Sequence, residues 1–243
     1  MRLALFDLDH TLLPIDSADA WSNYLVRAGG LDPDHHAAQI QRFAQDYRSG
    51  DLDPEDYLAF QMGLLARFPR AALEQFRSRF MTEAIEPNLR PEAFDLIEAH
   101  RCRQHELALV TGTHAFVTAP IAARFGLPHL LAVRPEEIDG RFTGRYLGSH
   151  TYGRGKVVAV ERFLAARGIT IETLDECTFY TDSVNDLPLL ERIAAGGGQP
   201  IVTNGDRPLR ALAHERGWRS LELFATGPRF GEVLPVPGPG PSA

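Results

Sequence analysis

Asp7 and Asp9 are the first residues in this chain whose types and spacing could do chemistry. They close the apolar run Leu3-Ala4-Leu5-Phe6 and are followed by Thr11, so the stretch reads Asp-x-Asp-x-Thr. Alternate side chains of an extended segment share a face, so both carboxylates can look into one site from one strand end. A buried strand has no structural use for two acids there, because an unpaired buried charge is costly. A divalent cation would neutralise them, and the chemistry that combination suits is magnesium-dependent phosphoryl transfer. Read alone, the stretch also allows a plainer role, with Asp9 or Thr11 capping a helix.

Three later stretches carry complementary groups. Thr111-Gly112-Thr113 follows another apolar run and opens a helix, offering a hydroxyl and backbone N–H groups to an anion. Gly153-Arg154-Gly155-Lys156 sets a lysine at a helix start, where the helix dipole disfavours a cation unless an anion is near. Asp182-Ser183-Val184-Asn185-Asp186 brings a second acidic pair after the strand Thr178–Thr181. Each has an ordinary alternative when taken singly: a cap for Thr111 or Asp186, a solvated Lys156. Asp182 has none.

The scaffold that must position these groups is legible as strands alternating with helices. Strands are expected at 107–111, 130–133, 178–181, 200–203 and 220–223, with helices at 115–125, 156–167, 186–194 and 207–216 between them. That alternation implies a parallel sheet covered on both faces, and ligands of such sheets bind at the carboxyl ends of the strands. Between the first strand and the second, helical periodicity recurs four times, at about 17–28, at 33–47, from 54 with apolar positions to Leu65, and at 69–84, before a further helix at 91–100. Ile138-Asp139-Gly140-Arg141-Phe142 carries an Asp-Gly hairpin signal, read as a small excursion outside the main sheet. The expected organisation is an α/β, Rossmann-like parallel-sheet core from residues 1–15 and 88–225. An all-helical cap is inserted at 16–87, and 226–243 is a Pro/Gly-rich tail expected to be disordered.

With acids, hydroxyl, lysine and acids in that order at successive strand ends, the chain resembles the haloacid dehalogenase superfamily. Its phosphoserine-phosphatase-like branch, with a helical cap between the first and second motifs, is the nearest likeness, over about residues 1–223. The resemblance implies a magnesium-dependent phosphomonoesterase acting on a small phosphorylated metabolite. In that likeness Asp7 is the nucleophile that forms an aspartyl-phosphate, and Asp9 is the general acid and then base. Lys156 offsets charge on nucleophile and phosphoryl group. Magnesium is implied at Asp7, the main-chain carbonyl of Asp9, and Asp182, with Asp186 orienting Lys156 or a metal-bound water. Thr111, the N–H of Gly112 and Asn185 are implied to hold the phosphate. Transfer to another acceptor, as in a phosphotransferase or mutase, uses the same core. A silent phosphometabolite-binding protein is a third reading, though binding alone does not require both Asp7 and Asp9.

The substrate motifs depart from that branch. Its members carry a glutamate nine residues after the nucleophile, where this chain has Asp16, and a cap arginine for the substrate carboxylate, where it has Gln61. An amide cannot form the bidentate charged pair that a carboxylate prefers. Their second motif, Ser-Gly-Gly-Phe, is Thr111-Gly112-Thr113-His114 here. Phosphoserine is therefore not the expected substrate. Histidinol phosphate, which lacks a carboxylate, is a candidate, with Asp16 facing its ammonium. Trp21 and Phe60 are expected in cap packing, with a place in the site wall open to either. His150 and Tyr152 are candidate substrate contacts, and His10 is not assigned a catalytic role. His35-His36 is read as an exposed polar face.

Composition sets the remaining bounds. The 243 residues are 44% hydrophobic and 23% charged, ordinary for a globular chain, and the net charge of −7 with no basic run argues against nucleic acid. Two well-separated cysteines, Cys102 and Cys177, are expected as free thiols. Neither a signal peptide nor a membrane span is evident, so a cytoplasmic protein is expected, and oligomeric state is not legible.

Overall fold

The computed structural model describes residues 1–224, so the expected disordered tail at 226–243 lies outside the described residues. The chain opens with β1 (Arg2–Phe6), whose four apolar residues are fully buried. Burial on both faces is what a central parallel strand requires, and it explains the unbroken apolar run. Four helices follow before the chain returns: α1 (Ser17–Ala28), α2 (Pro33–Ser49), α3 (Pro54–Ala66) and α4 (Arg70–Phe80). Asp16 caps α1 by accepting from the Asp19 N–H, and Asp53 caps α3 ahead of a proline at the first helical position. The fourth helix, expected through Ala84, leaves α geometry at Phe80 and passes into a wider π turn at Met81–Ile85.

The remainder alternates as the pattern implies: α5 (Pro91–Cys102), β2 (Glu106–Val110), α6 (Ala115–Arg124), β3 (His129–Leu131) and the hairpin β4 (Arg134–Ile138) with β5 (Arg141–Leu147). Then come α7 (Arg154–Ala165), β6 (Glu176–Thr181), α8 (Leu187–Ala195), β7 (Gln199–Thr203), α9 (Arg207–Arg216) and β8 (Arg219–Leu221). Six strands form one parallel sheet in the order β3-β2-β1-β6-β7-β8. Successive side chains of β1 feed opposite cores. Ala4 and Phe6 pack beneath α5, α6 and the helical insertion, while Leu3 and Leu5 pack against α7, α8 and α9. The strand order reverses at β1, with β2 on one side and β6 on the other, so the crevice for a ligand opens at the carboxyl end of β1.

The β4–β5 pair is antiparallel and separate from the main sheet, with Asp139 and Gly140 both at positive φ in its turn (49° and 73°). It clasps the insertion. The Tyr146 phenol donates to Glu55 at 2.6 Å, and the Arg70 guanidinium lies 4.8 Å from the Phe142 ring centroid and 4.6 Å from that of Phe116. Trp21, fully buried, sits amid Tyr24, Phe80 and Phe116 and centres the packing of the insertion on the core. His36 differs from the sequence reading. It is buried, with its Nδ1 2.8 Å from the Asp32 carbonyl oxygen and its ring near Phe60. Among the described residues no helix is long and apolar enough to cross a membrane.

Candidate active site

The end of β1 turns sharply. The Leu8 carbonyl accepts from the N–H groups of Thr11, Leu12 and Leu13, and His10 adopts a left-handed φ of 57°. This turn sends the two aspartates to different partners. Asp7 stays buried, its N–H continuing the sheet ladder to the Tyr180 carbonyl, and its Oδ1 accepts from Lys156 Nζ at 2.6 Å. Asp9 points toward the insertion and accepts from the Ser17 N–H at 2.7 Å and the Thr113 hydroxyl at 2.8 Å.

Lys156 reaches the site because α7 is pulled in at its first turn. Gly153 takes a positive φ of 52°, and a Cβ on Gly155 would collide with the His150 carbonyl. The ammonium then lies between two carboxylates, 2.6 Å from Asp7 Oδ1 and 2.6 Å from Asp186 Oδ2. The same Asp186 oxygen accepts from the Thr181 hydroxyl at 2.6 Å. Thr11 bridges the first and last motifs, its hydroxyl 3.2 Å from Asp182 Oδ1 and 3.4 Å from Asp7 Oδ2.

One buried lysine faces three buried carboxylates, Asp7, Asp182 and Asp186. Burial, opposed by Lys156 and aided by Asp186 and Asp9, pushes the Asp7 carboxyl up to about 7. Burial, with Asp7 and Asp186 beside it, holds Asp182 well above the carboxylate range. Burial and neighbouring Asp16 raise Asp9 to about 6, against the hydrogen bonds from Ser17 and Thr113. Burial would lower the Lys156 pKa, but Asp186 and Asp7 outweigh it, and the ammonium stays charged.

This excess of negative charge is the condition a divalent cation relieves. Among the described residues no three His, Cys, Asp or Glu side chains converge as a ready-made ligand sphere. Magnesium does not need one, since it binds through one or two carboxylates and retains water. Asp7 and Asp182, already linked through Thr11, fit that role.

A cavity of about 150 Å³ lies between the strand ends and the insertion, with Asp7, Asp9, Gly112, Lys156 and Asp186 on its floor. Its upper wall is aromatic and acidic, with Phe43, Tyr47 and Tyr57 from the insertion beside Asp16 and Asp19. Burial and Asp19 raise the Asp16 carboxyl to about 7. His10, His150 and Tyr152 also line it.

Other expected site residues lie elsewhere. Thr111 is fully buried, its hydroxyl accepting from the Thr113 N–H at 3.2 Å. The Asn185 amide donates to the Tyr47 carbonyl at 3.2 Å, across to the insertion. Gln61, expected at the substrate, is 2% exposed and absent from the cavity wall. Its amide Nε2 donates to the Ser22 hydroxyl on α1 at 3.0 Å, and the amide also meets the Tyr57 phenol on α3, which engages it inside the insertion. Trp21 and Phe60 do not line the cavity either.

Four contributors are not singled out by the sequence. The Thr113 hydroxyl holds Asp9, although only its neighbours Thr111 and Gly112 had been singled out. Tyr47 and Tyr57 face the cavity from helices read only as packing elements. Asp206 caps α9 through the Leu209 N–H at 2.7 Å, and its other oxygen accepts from the Val184 N–H at 2.8 Å, fixing the Asp182–Asp186 loop. Asp206 directly precedes the helix expected at 207–216, and its second bond depends on tertiary placement.

Comparison with known proteins agrees with this geometry. The family model described as haloacid dehalogenase-like hydrolase matches residues 4–191. A histidinol-phosphatase of Neisseria meningitidis serogroup C (strain 8013) is 36% identical over 223 residues, covering 91% of this chain and 99% of that protein. A crystal structure of a protein of unknown function from Bordetella pertussis Tohama I superposes with a TM-score of 0.85 at 43% identity, covering 92% of this chain and 99% of the other. A substrate-bound phosphoserine phosphatase shares the fold, with a TM-score of 0.65 at 21% identity over 91% of this chain and 92% of its own.

Proposed function

The chain belongs to the haloacid dehalogenase-like hydrolases and is a phosphatase, and from that premise we propose that it hydrolyses a small phosphomonoester through an aspartyl-phosphate on Asp7, with magnesium bound. The observation that carries this reading is the division of labour between Asp7 and Asp9. Asp7 is gripped by Lys156, which keeps one carboxylate oxygen aligned and favours its ionised form against the rise that burial imposes. Asp9 is turned away, held by Ser17 and Thr113 at the mouth of the leaving-group space. A nucleophile and a separate acid are what a two-step displacement requires. With a pKa near 6, Asp9 can deliver a proton to the departing alkoxide and take one from water in the second step.

Magnesium, held by Asp7, Asp182 and the Asp9 carbonyl, would neutralise the carboxylates and polarise the phosphoryl oxygens. The Gly112 N–H and Lys156 would bind the phosphoryl group, and Asp186 would keep Lys156 in place. The helical insertion of residues 16–87 would serve as the cap that excludes bulk water.

For the substrate we favour histidinol phosphate. Gln61, which stands where that branch has its carboxylate-binding arginine, is turned into the insertion. Asp16 is an acid at the cavity wall whose raised pKa an ammonium would lower, and Phe43 and Tyr57 offer flat apolar surface to an imidazole. The name of the Neisseria relative points the same way.

The test is magnesium-dependent phosphate release from histidinol phosphate, phosphoserine, sugar phosphates and an aryl phosphate, with Asp7→Asn as the blank. The reading requires release that chelator and Asp7→Asn abolish, highest for histidinol phosphate. A preference for phosphoserine would overturn the substrate, and release undiminished in Asp7→Asn would overturn the chemistry.

A further inference from the structure

Near its end α2 meets the core through Tyr47, which touches both loops that carry the charged groups. The Tyr47 carbonyl, close to the helix terminus, accepts from Asn185 Nδ2 at 3.2 Å. Its phenol lies beside the Ser183 hydroxyl and faces Asp186, Asp7 and Asp182. Its ring meets Tyr152 edge-on, with centroids 5.9 Å apart, in the turn that leads to Lys156. Burial, and after it the facing carboxylates, keeps the phenol protonated, so it presents a neutral donor to that end of the site. The opposite side of the insertion is held independently, through Tyr146 on Glu55 and through Arg70 beside Glu137 at 3.4 Å.

Resting on the phosphatase reading, we propose that Tyr47 is a positioning residue: it docks α2 on the Ser183–Asp186 loop and so couples closure of the cavity to the placement of Asp182 and Asp186. The loop has its own tether on the core side, where Asp206 accepts from the Val184 N–H. Asn185 is the part of it that faces the insertion. Its N–H is held by the Ser183 hydroxyl at 3.2 Å, and its side chain is committed to Tyr47. When α2 lifts, Asn185 and Ser183 lose their contacts to Tyr47 together, and the acids on either side lose that restraint. The clasp between α3 and the β4–β5 hairpin does not depend on this contact. Closure is therefore a movement of α2 over a fixed remainder.

Two measurements test this on the full chain with magnesium present. The first compares kinetics of Tyr47→Phe and Tyr47→Ala with the parent on one phosphomonoester. Loss of the phenol alone lowers kcat about fivefold, the worth of one neutral hydrogen bond, and loss of the ring lowers it further, with KM changed less than kcat. Equal kcat in parent and Tyr47→Ala overturns the proposal, as does a change confined to thermal stability. The second is hydrogen exchange, which needs no turnover. Asn185→Ala should speed exchange across 36–53 about tenfold and leave 57–66 unchanged, whereas equal protection of 36–53 in both proteins overturns the docking role. A parent that releases no phosphate would count against the phosphatase reading, and the exchange result would still decide the docking contact.

Discussion

Replacing His114 by phenylalanine should remove a defined share of this protein's sensitivity to acid. The imidazole is 1% exposed, and neither ring nitrogen meets a hydrogen-bond partner in the protein. It stacks on Phe116 at the start of α6, with centroids 6.5 Å apart, and burial lowers its pKa to about 3. An unfolded chain would bind the same proton near pH 6.5. Between those values the unfolded state holds more protons than the folded one, so stability is fully present above pH 6.5 and is lost as pH falls toward 3. At pH 5.0 the loss from this one group is about 2 kcal/mol, and at pH 7.5 it is roughly zero. In a domain of this size that corresponds to a change of about 4–8 °C in Tm. Raised carboxylates such as Asp7 and Asp16 act in the opposite sense, but equally in both proteins, so the comparison cancels them. Urea unfolding of parent and His114→Phe at pH 7.5 and 5.0 is the assay. Packing differences shift both pH values alike, whereas the His114 contribution appears only at the lower one. Parallel losses in the two proteins would refute the reasoning, because they would mean that the folded state also binds the proton.

Other perturbations follow from the same contacts. Lys156→Met strands Asp7 and Asp186 without their shared cation and should cost about 3–5 kcal/mol of stability. Added magnesium should restore part of this by binding the folded state, and an unchanged urea midpoint would contradict the ion-pair account. Asp16→Asn keeps the cap of α1 but removes a charge from the cavity wall. It should lower kcat/KM for histidinol phosphate by roughly 10–100-fold, the worth of a charged hydrogen bond, and leave an aryl phosphate nearly unaffected. Equal losses on both substrates would place Asp16 in the chemistry rather than in substrate recognition.

Much of this architecture is written locally. The run Leu3–Phe6 reads as a strand buried on both faces, and the Asp139-Gly140 turn closes the hairpin its residue types favour. Caps at Asp16, Asp53 and Asp206 set helix starts within a residue or so. The carboxylates at the ends of β1 and β6 and the hydroxyl at the end of β2 were legible because strand order and residue type agree. What local reading could not supply was side-chain direction. Gln61 sits on a helix where a half-turn decides between cavity and interior, and Ser22 on a neighbouring helix decides it. His114 carries no mark in sequence that both its nitrogens are buried without partners. Tyr47 and Tyr57 look like ordinary amphipathic packing until the insertion is laid over the strand ends. These are tertiary facts, set by which elements face each other.

The central claim, that Asp7 carries the phosphoryl group, is tested most directly by trapping it. Acid quench during turnover of a phosphomonoester, followed by mass spectrometry of the N-terminal peptide, should find phosphate on Asp7, present in the parent and in Asp9→Asn and missing from Asp7→Asn. Turnover with no phosphate on Asp7 under conditions that preserve acyl phosphates, together with persisting phosphate release from Asp7→Asn, would contradict it.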